Sequence, residues 1–117
     1  MEIKGEAKLL RIFIGEDDRH GTVSLYEKIV LTAKAQGMAG ATVYKGIMSF
    51  GGTSRMIHTS KILRLSEDLP LIIEIVDEEK KIDDFLPLLN TIFDEANCGG
   101  LITMEKAQII KYKAIRK

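Results

Sequence analysis

The chain has 117 residues, of which 45% are hydrophobic and 29% charged, a composition typical of a soluble globular domain and unlike that of a disordered chain. Seventeen basic and seventeen acidic residues give a formal net charge of zero, which argues against a nucleic-acid partner. The single cysteine, Cys98, excludes an internal disulfide and a paired-cysteine metal site. We therefore expect a single domain over residues 1–117.

Targeting and membrane segments are not predicted. The longest apolar stretches, Leu71–Val76 and Leu101–Met104, are far shorter than the roughly 20 residues of a membrane-spanning helix. The first residues contain no apolar core of a secretion signal. We expect a cytoplasmic protein that does not span a membrane.

The first third of the chain predicts a strand and then a helix. Ala7–Gly15 is a strand, and a polar turn follows over residues 16–21. Ser24 and Glu27 have the spacing of a capping box, with Thr22 as the rival cap, and Gly37 is a plausible stop. The apolar stripe between them contains Tyr26, Ile29, Val30 and Ala33.

The middle of the chain predicts strands around a long loop. Ala41–Met48 is the second strand, and Ser49–Ser60 is a loop, after which Lys61–Leu65 could extend a ladder. Leu71–Val76 is β-branched and apolar, which is typical of a buried strand.

The last third predicts a helix followed by strands. Acids at residues 77–79 suit a helix N-terminus, Pro87 should kink the helix near Asp83, and residues 97–100 should end it. Leu101–Met104 and Ala107–Tyr112 are strand-like. One apolar helix face contains Ile82, Phe85, Leu86, Leu89, Ile92, Phe93 and Ala96.

This element order predicts an α+β fold, a ferredoxin-like βαββαβ sandwich. Right-handed crossovers put both helices on one face of a four-stranded antiparallel sheet. If the other face met water, each strand should alternate apolar and polar residues, but both sides of two strands are largely apolar. The first strand has Leu9 and Phe13 on one side and Leu10, Ile12 and Ile14 on the other. The third has Leu71, Ile73 and Ile75 on one side, and Ile72 and Val76 beside Glu74 on the other. We predict a homo-oligomer that buries this face. The alternative is that the C-terminal segment folds over it.

Three groups of residues are candidates for ligand binding. In the loop, Gly51, Gly52, Arg55 and His58 could hold a phosphate, although a plain hairpin loop explains them as well. Gly99-Gly100 either terminates the helix or lets a ligand approach the backbone. Lys111 and Lys113, on one face of the last strand, could converge on an anion or protect a sheet edge.

Metal binding and catalysis have weaker support. His20 and His58 lack the spacing of a metal site, and no GxSxG motif marks a nucleophile. We therefore predict no metal site, no catalytic residue and no enzymatic activity.

Several segments spread over nearly the whole chain resemble the DUF190 family, which is similar to the PII signal-transduction proteins. They are Arg19-His20-Gly21, Ser24–Ile29, Gly37–Val43, Leu65–Pro70, Ile75–Asp77 and Gly100–Thr103. The resemblance implies a ferredoxin-like subunit, a trimer, and an adenine nucleotide, ADP, ATP or AMP, in the clefts between subunits. It also implies that the loop after the second strand contacts effectors.

Residue by residue, the resemblance implies the following nucleotide site. Gly40, Thr42 and Val43 match the PII run against which the base and ribose pack. Lys111 and Lys113 stand where PII proteins have two arginines that meet phosphates across the subunit boundary. Gly99 matches a glycine of the phosphate-binding loop, but the lysine that follows it in PII proteins is here Gly100.

These observations predict a PII-like regulatory protein. It would bind an adenine nucleotide between the subunits of a trimer, require no cofactor, and present loop Ser49–Ser60 to a partner protein. The alternative is a trimer that binds a metal ion or a small anion, or that serves as a scaffold, without nucleotide.

Overall fold

The structure is a computed structural model that describes residues 5–51, 54–59 and 69–115. Its elements in chain order are β1 (Gly5–Gly15), β2 (Arg19–His20), β3 (Val23–Ser24), α1 (Leu25–Ala35), β4 (Thr42–Lys45), β5 (Met48–Gly51), β6 (Ser54–Thr59), β7 (Pro70–Glu78), α2 (Glu79–Ala96) and β8 (Leu101–Ile109). Within this part of the chain, no helix is both long and apolar enough to cross a membrane.

The central sheet has four strands in the order β4–β7–β1–β8, and all its neighbouring pairs are antiparallel. Together with α1 and α2, it confirms the predicted ferredoxin-like α+β fold. The chain order of these six elements is strand, helix, strand, strand, helix, strand. The first and third of these strands therefore occupy the centre of the sheet, and β4 and β8 form its edges.

Some predicted boundaries were wrong. The strand predicted over Ala41–Met48 ends at Lys45, and part of the predicted loop Ser49–Ser60 belongs to an antiparallel ribbon of β5 and β6. The last strand is continuous but ends at Ile109 rather than Tyr112. Residues 61–65, the possible ladder extension, lie outside the described residues.

The helix ends follow local sequence signals in part. Ser24 is the N-cap of α1, and its hydroxyl donates to Glu27 Oε1 at 2.9 Å. Gly37 follows the helix with a φ of +75°, which confirms it as the stop residue. Helix α2 runs through Pro87 without a break.

The core lies between the helices and one face of the sheet. The helix stripes predicted from the sequence form it, with Tyr26, Val30 and Leu86 at its margin. Its buried residues are Leu10, Ile12, Ile14, Leu25, Ile29, Ala33, Leu71, Ile73, Ile75, Ile82, Phe85, Leu89 and Ile92.

The opposite sheet face is apolar at its ends and polar in its middle. Leu9 is paired with Val76, and Phe13 with Ile72. Arg11 lies between these pairs and donates from Nε to Glu74 Oε2 at 2.7 Å, and from Nη1 to Glu105 Oε1. Glu74 Oε2 also accepts from the Tyr44 hydroxyl at 3.0 Å. The resulting polar row crosses all four strands, and the sequence analysis did not predict it.

The C-terminal segment reaches one end of this open face. It approaches Val76, which is 38% exposed, whereas Leu101 at the far end is 56% exposed. In the described residues, the alternative in which the C-terminal segment folds over this face is therefore seen only at the Val76 end. Burial of this face by a second copy stays a prediction.

Asp77, at the end of β7, is fully buried although it is charged. Its Oδ2 accepts from the backbone N–H of Ala39 at 2.8 Å, and its Oδ1 accepts from the N–H of Glu78 at 2.7 Å. A buried carboxylate is costly without such donors. Asp77 therefore fastens the segment before β4 to the point where β7 leads into α2.

We predict that Asp77→Ala lowers the free energy of unfolding by about 3 kcal/mol, because two N–H groups lose their acceptor in a buried setting. Urea denaturation followed by circular dichroism measures this change. Asp94→Ala, at an exposed position of α2, is the control and should change stability by less than about 0.5 kcal/mol. Equal effects of the two substitutions would contradict the role given to Asp77.

Candidate functional site

A cleft of about 350 Å³ lies at the end of the sheet where β8 finishes. Its lining combines apolar residues with a glutamine, a tyrosine and one lysine, Lys111. Its lining residues are Ala39, Val76, Gln108, Ile109, Ile110, Lys111 and Tyr112. Apolar lining with a few polar groups is typical of small-molecule sites.

Besides the strand residues Val76, Gln108 and Ile109, two further segments of the chain line this cleft. The loop between α1 and β4 contributes Ala39, and the segment after β8 contributes Ile110, Lys111 and Tyr112. The Tyr112 hydroxyl donates to the Ala39 carbonyl at 3.0 Å and so joins the two segments. Lys81 Nζ donates to the carbonyl of Gly37 at 2.7 Å, which ties the same loop to α2.

Some of the predicted nucleotide-binding residues lie at this end of the sheet. Gly40 directly follows Ala39 and is exposed, whereas Thr42 and Val43 pair with Glu74 and Ile73 in the middle of the sheet, away from the cleft. Lys111 lines the cleft, and Lys113 is exposed beyond it. The expectation that both lysines lie on one face of the last strand was wrong, because β8 ends before them.

The other predicted binding residues belong to the opposite end. Gly99 and Gly100 precede β8, whose first residue, Leu101, pairs with Phe13. The ribbon follows β4 at this same end, and the backbone of Gly51 closes β5 while that of Arg55 and His58 lies in β6. Gly52 lies outside the described residues.

The length of β8 separates the predicted binding residues at one end of the sheet from those at the other. β8 has nine residues, and at about 3.4 Å per residue it spans about 27 Å. Gly99 and Gly100 therefore cannot contact a small ligand bound in the Lys111 cleft of the same chain. A site that uses both groups needs residues from two copies of the chain.

Gly100, which directly precedes β8, has a packing role. A Cβ on Gly100 would lie 2.7 Å from Cε1 of Phe93 and 3.0 Å from the Phe13 carbonyl oxygen. The helix ends within residues 97–100 as predicted, but the capping residue is Asn97, with a left-handed φ of 53°, and not Gly99 or Gly100. A short amide side chain tolerates this conformation.

The side chains of the polar row on the open face shift one another's pKa values. The guanidinium of Arg11 lowers the pKa of Glu74 by hydrogen bonding, and the Tyr44 hydroxyl adds to this effect. Partial desolvation, followed by the contact with Glu74, raises the pKa of Tyr44. Glu74 therefore stays ionised at neutral pH. Arg11 faces two carboxylates, so the row has a net charge of −1.

The sequence analysis missed the residues that hold the cleft together. Tyr112, which lies between two lysines, was not among the predicted site residues, and Asp77 was predicted only as an acidic residue at a helix N-terminus. A carboxylate directly after an apolar strand is a weak signal for a buried acceptor. No local pattern in the sequence indicates the contact of Tyr112 with Ala39, because these residues are 73 positions apart.

The described residues contain no candidate metal centre. The described part of the chain contains no group of three or more histidine, cysteine, aspartate or glutamate side chains arranged to hold a metal ion. His20 Nε2 instead lies 3.0 Å from Glu95 Oε1.

Comparison with known protein families gives one match that covers most of the chain. The model of DUF190, a family described as "Uncharacterized ACR", matches residues 7–109. A UPF0166 protein of Aquifex aeolicus is 38% identical over 103 residues, which cover 88% of this chain and 92% of that protein. A UPF0166 protein of Methanocaldococcus jannaschii is 38% identical over 106 residues, covering 91% and 94%.

Solved structures with the same fold include a nitrogen regulatory PII-like protein, CPII, from Thiomonas intermedia K12. That structure is described as bound to ADP, AMP and bicarbonate. It superposes with a TM-score of 0.67, covering 93% of this chain and 91% of its own, at 15% sequence identity. At this identity the likeness establishes the fold alone.

The different surroundings of two glycines give a testable prediction. Gly100→Ala should lower the free energy of unfolding by about 1–3 kcal/mol, since its methyl group would overlap the Phe93 ring and the Phe13 carbonyl. Gly40→Ala is the matched control, because nothing lies within 4 Å of its added Cβ. Thermal or urea denaturation compares the two variants. A Gly100→Ala variant as stable as Gly40→Ala would contradict the packing role.

Proposed function

The chain belongs to the DUF190 family, and on this basis we propose that it is a PII-like regulatory protein that binds an adenine nucleotide. Copies of the chain assemble into a trimer, and the nucleotide binds in the clefts between subunits. Binding reorganises the segment Ser49–Ser60, which contacts a partner protein. This mechanism requires the nucleotide to bind one arrangement of that segment more tightly than the other.

The cleft beside Lys111 is the observation that carries this proposal. Val76, Ile109 and Ile110 offer apolar surface to a purine ring. Lys111 offers a positive charge to a phosphate group, as a point charge rather than the two-pronged guanidinium of arginine. The open space at Gly40 lets a ligand approach the backbone there.

The separation of the two residue groups supports a site shared between subunits. Gly99 and Gly100 lie about 27 Å of strand away from Ile109, so one copy cannot bring both groups to the same nucleotide. A second copy packed on the open face could supply the missing group. The apolar residues at the ends of that face, Val76 and Leu101, would lose their exposure in such an assembly.

The known relatives agree with this proposal at the level of the fold. The CPII structure of Thiomonas intermedia K12 is described as bound to ADP and AMP, and it has the same fold as this chain. We further propose a binding protein rather than an enzyme, because no nucleophile motif was found in the sequence.

Isothermal titration with ADP tests the proposal. The wild-type protein should bind ADP, and Lys111→Gln should weaken binding about 10-fold or more, because the phosphate loses a charge-assisted hydrogen bond. Lys106→Gln is the control, since it removes the same charge from β8 at a position outside the cleft lining. Absence of heat with ADP, ATP and AMP, or an unchanged affinity in Lys111→Gln, would overturn the proposal.

A further inference from the structure

Both backbone polar groups of Ala39 are bonded to side chains from distant parts of the chain. Its N–H donates to Asp77 Oδ2 at 2.8 Å, and its carbonyl accepts from Tyr112 Oη at 3.0 Å. Both lengths are typical of well-formed hydrogen bonds. We call this arrangement of Asp77, Ala39 and Tyr112 the Ala39 clamp.

The two hydrogen bonds of the Ala39 clamp differ in how readily they break. Asp77 is fully buried, lies at the end of a central strand, and bonds through its second oxygen to the N–H of Glu78. Breaking its bond to Ala39 would leave a buried carboxylate short of a donor, which is costly. The Asp77 side therefore fixes the position of Ala39 within the folded chain.

The Tyr112 side holds a segment that is less firmly packed. β8 ends at Ile109, so residues 110–112 extend beyond the sheet pairing with β1. Ile110 is 80% exposed and Ile115 is 77% exposed, whereas Tyr112 between them is half-buried. The Tyr112 hydroxyl bond is therefore a contact that can open without unfolding the core.

Lys111 lies next to Tyr112 and lines the cleft with it. From these contacts we infer that Tyr112 is a positioning residue, whose bond to the Ala39 carbonyl closes the C-terminal segment on the cleft and holds Lys111 toward an anionic ligand. The inference about the ligand rests on the proposed function. The closure itself is a property of the ligand-free chain.

Tyr112→Phe tests the clamp, because it removes the hydroxyl and keeps the ring in the cleft wall. The first measurement needs no ligand: limited trypsin digestion followed by intact-mass analysis gives the rate of cleavage after Lys111 and Lys113. The rate should rise about 2- to 10-fold in Tyr112→Phe, as expected for loss of one hydrogen bond. Tyr26→Phe, which removes a hydroxyl from α1, is the matched control and should leave this rate unchanged.

The second measurement is the affinity for ADP. Tyr112→Phe should raise the dissociation constant about 2- to 10-fold, and ADP should slow tail cleavage more in the wild type than in the variant. An unchanged cleavage rate would overturn the clamp, and an unchanged ADP affinity would overturn its role in positioning Lys111. If the wild type binds no nucleotide while the tail of Tyr112→Phe is cleaved faster, the proposed function fails and the clamp stands.

Discussion

Two helices cover only one face of the four-stranded sheet, and the other features of the molecule depend on this constraint. The covered face buries an aliphatic core built from central strands β1 and β7. The other face keeps apolar residues at its ends and the row of Tyr44, Glu74, Arg11 and Glu105 across its middle. This face therefore combines apolar residues at its ends with a polar row whose members are hydrogen-bonded to one another.

The same sheet divides the predicted binding residues. Antiparallel order brings the loop that precedes β4 and the end of β8 to one end of the sheet, where the Lys111 cleft is formed. It brings the start of β8 and the exit from β4 to the other end. A ligand that touches both sets must therefore lie between copies, which links the uncovered face to the proposed nucleotide site. In that arrangement the Ala39 clamp would position Lys111, which belongs to the part of the site that each copy provides.

Much of the fold could be predicted because it depends on local periodicity. The alternation in Ala7–Gly15, the β-branched run Leu71–Val76 and the helical stripe from Ile82 to Ala96 all gave the correct element type. The β5–β6 ribbon was not predicted, because the glycines at 51 and 52 suggested a loop more strongly than the flanking residues suggested strands.

The candidate site was harder to predict from the sequence. Lys111 was predicted from the basic residues near the end of the chain and Gly40 from a family resemblance, and the structure brings their segments together. The bonds that do so, from Asp77 and Tyr112 to Ala39, join residues far apart in the chain. Their energies depend on burial and on the register of β7 and β8, which local patterns do not encode. The same reason explains why the polar row through Arg11 was not predicted.

Native mass spectrometry of the protein as purified tests the central claim most directly, because it reports the number of subunits and any retained ligand together. A trimer whose mass includes an adenine nucleotide, and which loses that nucleotide when it dissociates into monomers, is the result expected here. A monomer of 13.1 kDa under the same gentle conditions would contradict the claim that copies of the chain share the site.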